Sequence, residues 1–270
     1  MHILDNHINN MSSRIEAIFE NGPKQEEISL QESLASYGWI LLDSWIVWRT
    51  MRFLIKDMDI DENIQKKWFQ TPGSYTASQL RCVWKFDTNV EKYLTDNLGK
   101  SLHKLFDETI QKKRNASAHF NGNSVVQGRD CIEIKKIYEV LSNVFLFSEV
   151  KTFVYVICEE LHKIGYTDFK IFYFEDVGYD VDQFSVMINE FAKQKQFFLT
   201  CKRKTQQEYG IFFTKEGCQA SIKDDSKMWK QKVEIINDRQ HIYQFFEHKG
   251  YYQNSQLFLE TVIDKWSEIE

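Results

Sequence analysis

The chain has 270 residues, of which 43% are hydrophobic, with 34 basic side chains, 39 acidic side chains and two prolines. This composition excludes disordered, collagen-like and repeat proteins, and the length suits one large or two modest folded domains. The net charge of −5 is not that of a typical nucleic-acid-binding protein, so any such surface must be a local patch.

Cysteine usage and hydropathy indicate the compartment. The five cysteines are scattered along the chain without the close pairs of a zinc site, so we expect reduced thiols. Residues 1–20 contain too many charges for a signal peptide. The most apolar stretch, residues 39–48, is too short to span a bilayer and contains Asp43. The sequence therefore predicts a soluble cytoplasmic protein.

The first half of the chain has helical periodicity. An amphipathic segment, Ile8 to Phe19, precedes a long predicted helix from Ser29 to Ile55, in which apolar residues recur every three or four positions. A further segment, Thr76 to Phe86, follows a Pro-Gly break. We therefore expect a helical bundle to begin near residue 29.

Two more helices complete this half. Apolar residues at helical spacing predict a helix that runs from Val90 toward Arg114. After an Asn-Gly-Asn stop signal, Asp130 can cap a helix that begins at Cys131 and continues to about Ile164. Up to that point the chain is predicted to be entirely helical.

Beyond Gly165 short aromatic and β-branched runs predict strands, interleaved with amphipathic stretches. The predicted strands are Phe169 to Phe174, Phe197 to Cys201, Tyr209 to Thr214 and Val233 to Ile236, and the amphipathic stretches are Val181 to Lys193, Gln240 to Glu247 and Ser255 to Trp266. We place a boundary near residues 165–168. The predicted fold is mainly α, with a helical domain over residues 1–165 and a smaller α+β domain over residues 166–270.

One local pattern points to chemistry. In Arg114-Asn115-Ala116-Ser117-Ala118-His119, an arginine is followed by asparagine and, four positions later, by histidine. Arginine is a permanent planar cation that can hold a phosphate through two hydrogen bonds, and histidine can exchange a proton near neutral pH. The pattern therefore suits phosphodiester cleavage.

An arginine, a polar residue and a histidine at this spacing in a helical domain resemble the HEPN superfamily, over about residues 29–165. The resemblance implies a bundle that dimerises and, in many members of toxin and antiviral defence systems, a metal-independent ribonuclease. It also implies that Arg114 and His119 are catalytic and that Asn115 orients them. Other members are inactive scaffolds or nucleotide binders. The C-terminal domain resembles no family that we recognise.

Helix geometry limits how the two side chains can meet. Five residues put Arg114 and His119 about 140° apart on an ideal helix. They converge if the arginine reaches around the helix, if the helix begins or bends near Arg114, or if the site pairs across a two-fold axis. In an unbroken helix, His103 and Asp107 would lie on nearly the same face as Arg114. They are either supporting residues of the site or an ordinary i, i+4 pair on an exposed face.

Basic residues beside aromatic residues are candidates for RNA contact. Five cations lie between residues 193 and 204, around Phe197 and Phe198; they form either a single-strand-binding surface or a charged hairpin. The candidates are Lys202, Arg203 and Lys204 of this segment, together with Lys112 and Lys113, which directly precede Arg114. The tryptophans Trp39, Trp45 and Trp48 have the spacing of core packing or a dimer seam rather than of a base-stacking platform.

The sequence thus predicts an endoribonuclease of a toxin or antiviral defence type. It would cleave RNA as a homodimer by 2′-hydroxyl attack, without metal or cofactor, and an antitoxin or a defence-system protein would be a further partner. The alternative is an inactive HEPN-like scaffold that binds a partner protein or a nucleotide.

Overall fold

The computed structural model describes residues 8–16, 28–57, 87–119, 126–172, 178–183, 188–194, 196–203, 207–213, 218–223, 229, 233–236 and 251–270. The chain divides into two compact units, residues 1–145 and 146–270. Among the described residues, the first unit is helical and the second combines helices with an antiparallel sheet. The mainly α fold with an α+β portion is therefore as predicted. The predicted segments Thr76 to Phe86 and Gln240 to Glu247 lie outside the described residues.

Two helices open the first unit: α1 covers residues 8–16 and α2 covers Ile28–Asp57. The long helix predicted from Ser29 to Ile55 is confirmed. Trp39 and Trp45 are buried, and the Trp45 indole donates a hydrogen bond to Ser12 of α1. Core packing is therefore their role. Because these rings are buried within one chain, they give no support to a dimer seam.

The predicted helix from Val90 toward Arg114 is wrong as a single element. Helix α3 is Thr88–Leu98, capped at its start by the Asp87 side chain. It ends at Gly99, which has φ 65° and donates its N–H to the carbonyl of Thr95. Left-handed glycine is a common helix terminator because it lacks a Cβ. The chain becomes helical again at Leu102.

A π-helix, Lys104–Ile110, leads directly into α4, Gln111–His119. The Gln111 N–H donates to the carbonyl of Phe106, and the Thr109 hydroxyl donates to the carbonyl of Lys104 at 3.1 Å. Both bonds reach back five residues. A π segment changes the phase of the helix that follows it, and such segments are frequent at functional sites.

Helix α5 is Asp130–Lys163. It begins where the sequence predicted, and it approaches α2 closely at Gly38, where a Cβ atom would lie 2.9 Å from Cδ1 of Ile134. Among the described residues it is the one helix long and apolar enough to cross a membrane, but 67% of its apolar window is buried in the protein. This burial is typical of the core helix of a soluble protein.

The second unit contains a six-stranded sheet in the order β2-β1-β3-β4-β5-β6, in which all neighbours are antiparallel. The strands are Thr167–Phe172, Tyr179–Asp180, Phe197–Lys202, Glu208–Phe213, Cys218–Ile222 and Val233–Ile236. The sequence prediction missed β2, which is two residues long, and β5. Helices α6, Ile188–Gln194, and α7, Tyr251–Ile269, belong to the same unit. Within the described part of the amphipathic stretch predicted from Val181 to Lys193, residues 181–183 form a 3-10 turn and α6 begins at Ile188.

The two units divide between Phe145 and Leu146, inside α5. The sequence placed the boundary after this helix, between residues 1–165 and 166–270. The difference arises because Phe153 of α5 packs edge-on against Phe213 of β4 and Phe258 of α7. The C-terminal half of α5 therefore belongs to the core of the second unit.

Candidate functional site

The central contact of the site joins α4 to α2. The Nε atom of Arg114 lies 3.4 Å from Oδ2 of Asp43, and the two side chains are 41% and 22% exposed. Arg114 also donates from Nη1 to the Asn115 side-chain oxygen at 2.9 Å. The structure thus brings together two of the predicted site residues and adds Asp43. The guanidinium is held on one side and remains accessible to solvent.

Asp43 is in an unfavourable place for a charge. Burial raises the pKa of its carboxyl above the ordinary value of 3.8, and the nearby Arg114 guanidinium opposes this shift without cancelling it. A buried carboxylate is retained only where a partner or a function requires it. An acid within the most apolar stretch of the sequence was the signal that could have identified this residue.

His119 is the last residue of α4. Arg114 and His119 therefore lie on one regular helix, about 7.5 Å apart along its axis. The irregular helical geometry lies earlier, in the π segment. The side chain of His119 is outside the described residues.

Beside this pair lies a second contact, between α4 and the start of α5. The Lys113 ammonium donates to Oδ2 of Asp130 at 2.7 Å, and the Trp39 indole donates to the same oxygen at 3.1 Å. The Gln127 N–H is a third donor, at 3.3 Å. Asp130 and Trp39 are buried. The sequence assigned Asp130 to helix capping, whereas its carboxylate links three helices.

His103 and Asp107 pair with one another. The His103 Nδ1 atom lies 2.6 Å from Oδ2 of Asp107, and the histidine side chain is 71% exposed. The sequence predicted that both lie on nearly the same helix face as Arg114 if the α-helix is regular. The π segment, which begins directly after His103 and contains Asp107, breaks that regularity because it changes the helical phase before Arg114. The ordinary i, i+4 pair describes them better.

The RNA-contact candidates are divided between the two units. Lys112 is exposed, whereas Lys113 is held by Asp130. Lys202 pairs with Asp168 and with Glu208 at 3.6 and 3.9 Å. Arg203 lies over the ring of Tyr166, and Lys204 is outside the described residues. Among the described residues, Lys202 and Arg203 thus contact other side chains of the second unit, which favours the charged-hairpin alternative.

The neighbouring aromatic rings stack on each other. Phe198 stacks on Phe212 across the strands with centroids 3.7 Å apart, and Trp229 meets Phe198 edge-on. On the opposite face of the sheet, Phe197 stacks on Phe213. Bases stack on free ring faces. Stacking covers one face of each of these phenylalanine rings, which leaves this segment less open as a platform for single-stranded RNA.

No cluster of three or more metal-ligating side chains occurs among the described residues. The four described cysteines are free thiols. Burial raises the pKa of the Cys158, Cys201 and Cys218 thiols well above the ordinary value of 9.0. Because the thiolate is the reactive form, burial disfavours these three side chains as nucleophiles.

No protein-family model, curated protein or solved structure matches this chain. The site must therefore be interpreted from its own geometry.

Proposed function

We propose that this protein is a metal-independent endoribonuclease whose site is built on α4. The observation that carries the proposal is the Arg114–Asp43 contact. It holds a partly exposed guanidinium on the helix that ends at His119, in a helical unit whose Arg-Asn-x3-His pattern resembles the HEPN superfamily. An arginine kept in place and left open to solvent can grip a phosphodiester through two hydrogen bonds.

The proposed reaction is in-line attack of a ribose 2′-hydroxyl on the adjacent phosphorus. A new 2′-oxygen–phosphorus bond forms as the bond to the leaving 5′-oxygen breaks, which yields a 2′,3′-cyclic phosphate. His119 acts as general base or acid in this exchange. Arg114 stabilises the charge that gathers on the phosphoryl oxygens, and Asn115 orients its guanidinium.

The proposal includes a homodimer, which would bring two copies of the motif together. It places the protein in the cytoplasm, where free thiols such as those of Cys131 and Cys158 persist. The second unit would recognise RNA, an antitoxin or an activating defence-system partner.

A second candidate function is supported by the same ion pair. Asp43 neutralises Arg114, as it would in a protein that no longer needs the cation for phosphate. That protein would be an inactive scaffold that binds a partner protein or a nucleotide.

Cleavage of mixed RNA in the presence of EDTA separates the two. We expect parental protein to produce fragments that end in 2′,3′-cyclic phosphate and the His119→Ala variant to produce none, with unchanged circular dichroism. Equal cleavage by both proteins would remove His119 from the site. No cleavage by the parent, in any preparation, would favour the scaffold.

A further inference from the structure

The contact of Lys113 with Asp130 adds two residues outside the Arg-Asn-x3-His motif to the surroundings of the proposed site. Lys113 and Arg114 are consecutive on α4, so their side chains leave the helix about 100° apart. One reaches Asp130 at the start of α5, and the other reaches Asp43 on α2. Two adjacent cations thus bind helix α4 to two different neighbours.

The partners of these cations are themselves linked. Trp39 and Asp43 are one turn apart on α2, and the Trp39 indole donates to the carboxylate oxygen that Lys113 contacts. Helix α2 therefore contacts both ion pairs. Asp43 is the partner of Arg114, and Trp39 donates to Asp130, the partner of Lys113. Rotation of α4 about its axis would break both contacts together.

The Lys113–Asp130 pair is the more buried of the two ion pairs. Its side chain is 21% exposed and that of Asp130 is 6% exposed, against 41% for Arg114. A buried ion pair with a further neutral donor has a narrow range of acceptable geometries. The Lys113–Asp130 pair is therefore the one that can determine the rotation of α4. The more exposed Arg114 presents its guanidinium to solvent.

We propose that Lys113, Asp130 and Trp39 form a positioning triad that sets the rotation of α4 and so presents Arg114 and His119 to RNA. The inference rests on the proposed ribonuclease function. It also reassigns Lys113, which is a positioning residue and not a ligand of the RNA phosphates.

The geometric part can be tested without activity. The Arg114 Nε–H signal and the Trp39 indole signal would be followed by two-dimensional ¹⁵N NMR of the full chain, with Arg114→Lys and Trp39→Phe as assignment variants. We expect Lys113→Met and Asp130→Asn each to move the Arg114 Nε–H signal, because each breaks the Lys113–Asp130 contact that sets the rotation of α4. Lys112→Met, at the exposed neighbouring position, should leave it in place. An unmoved Arg114 signal in both variants would overturn the triad.

The functional part uses turnover and salt dependence. Lys113→Met should lower kcat at least tenfold with KM within about threefold, whereas Lys113→Arg, which keeps the charge beside Asp130, should regain most of the loss. RNA binding would be measured in the His119→Ala background at several NaCl concentrations. The slope of log K against log [NaCl] should be the same for the single variant His119→Ala and for the double variant that also carries Lys113→Met.

A lysine that contacts a phosphate gives the opposite pattern. Its removal would reduce that slope by about 0.7 for single-stranded RNA, with little change in kcat. This outcome would make Lys113 a phosphate ligand and overturn the reassignment. If Lys113→Met does not fold, the Asp130→Asn and Trp39→Phe variants decide: the triad predicts a lower kcat with an unchanged salt slope for both, whereas a lysine that only contacts phosphate predicts parental kcat for both. A moved Arg114 signal in a protein that never cleaves RNA would refute the ribonuclease and leave the geometric triad standing.

Discussion

Asp43 and Arg114 are 71 positions apart in the chain, yet Oδ2 of the first lies 3.4 Å from Nε of the second. The contact explains why an acid occurs in the middle of an apolar helix. It also gives the arginine of the motif a defined partner, which a solvated basic side chain near a helix end would lack.

Replacing Asp43 by asparagine should reduce turnover. The amide keeps the shape of the carboxyl but loses the charge that holds the guanidinium, so we expect kcat to fall about tenfold, equivalent to about 1.4 kcal/mol in the barrier. Single-turnover cleavage of a short RNA measures this effect. Ser44→Ala, at the next position of α2, is the control and should behave as the parent. Unchanged turnover in Asp43→Asn would separate Asp43 from the site.

The same substitution should stabilise the fold at neutral pH. Since burial raises the pKa of Asp43, the native state holds its proton more tightly than the unfolded chain, and the ionised form costs stability. The contribution of the protonated Asp43 to stability is therefore fully present below 3.8 and is lost as the pH rises through the raised value. Urea unfolding at neutral and at acidic pH should show Asp43→Asn above the parent at neutral pH, with the difference shrinking in acid. A less stable variant at neutral pH would show that pairing outweighs burial.

Arg114→Lys separates catalysis from simple charge attraction. Lysine keeps the positive charge but lacks the planar fork that can hold two phosphoryl oxygens, and it cannot serve Asp43 and phosphate with the same geometry. We expect RNA affinity to remain near the parental value while turnover falls at least tenfold, worth about 1.4 kcal/mol. Filter binding and cleavage rates on the same RNA measure both. Near-parental turnover would remove Arg114 from the proposed mechanism.

Truncation after Gly165 should not release a well-folded helical domain. The fragment would keep the C-terminal half of α5 but lose Phe213 and Phe258, the partners of Phe153. Apolar surface exposed in this way favours aggregation. We expect the fragment to be poorly soluble, and to recover when Phe153 and Ile157 are changed to serine. A soluble, unmodified fragment with slow amide exchange throughout the C-terminal half of α5 would contradict this division of the helix.

The sequence predicted an element correctly where the conformation of the segment depends mainly on its own residues. Periodic apolar residues predicted α2 to within two residues at its C-terminal end, and aromatic runs predicted β3 and β4. The sequence left open whether the helix begins or bends near Arg114, and the structure places Arg114 and His119 on one α-helix. The break at Gly99 was also a local signal, and the sequence prediction missed it because the apolar spacing continues through it.

The partners within the site were decided by tertiary structure alone. Trp39 and Asp130 are 91 positions apart, and Lys113 and Asp130 are 17 apart across a helix end. Backbone dihedral preferences and i→i+4 hydrogen bonds act over a few residues, so they determine where a helix begins and ends. Which of its side chains meets an opposite charge depends on how the helices pack and on the phase that the π segment gives to α4. These partners are defined only once α2, α4 and α5 have packed together.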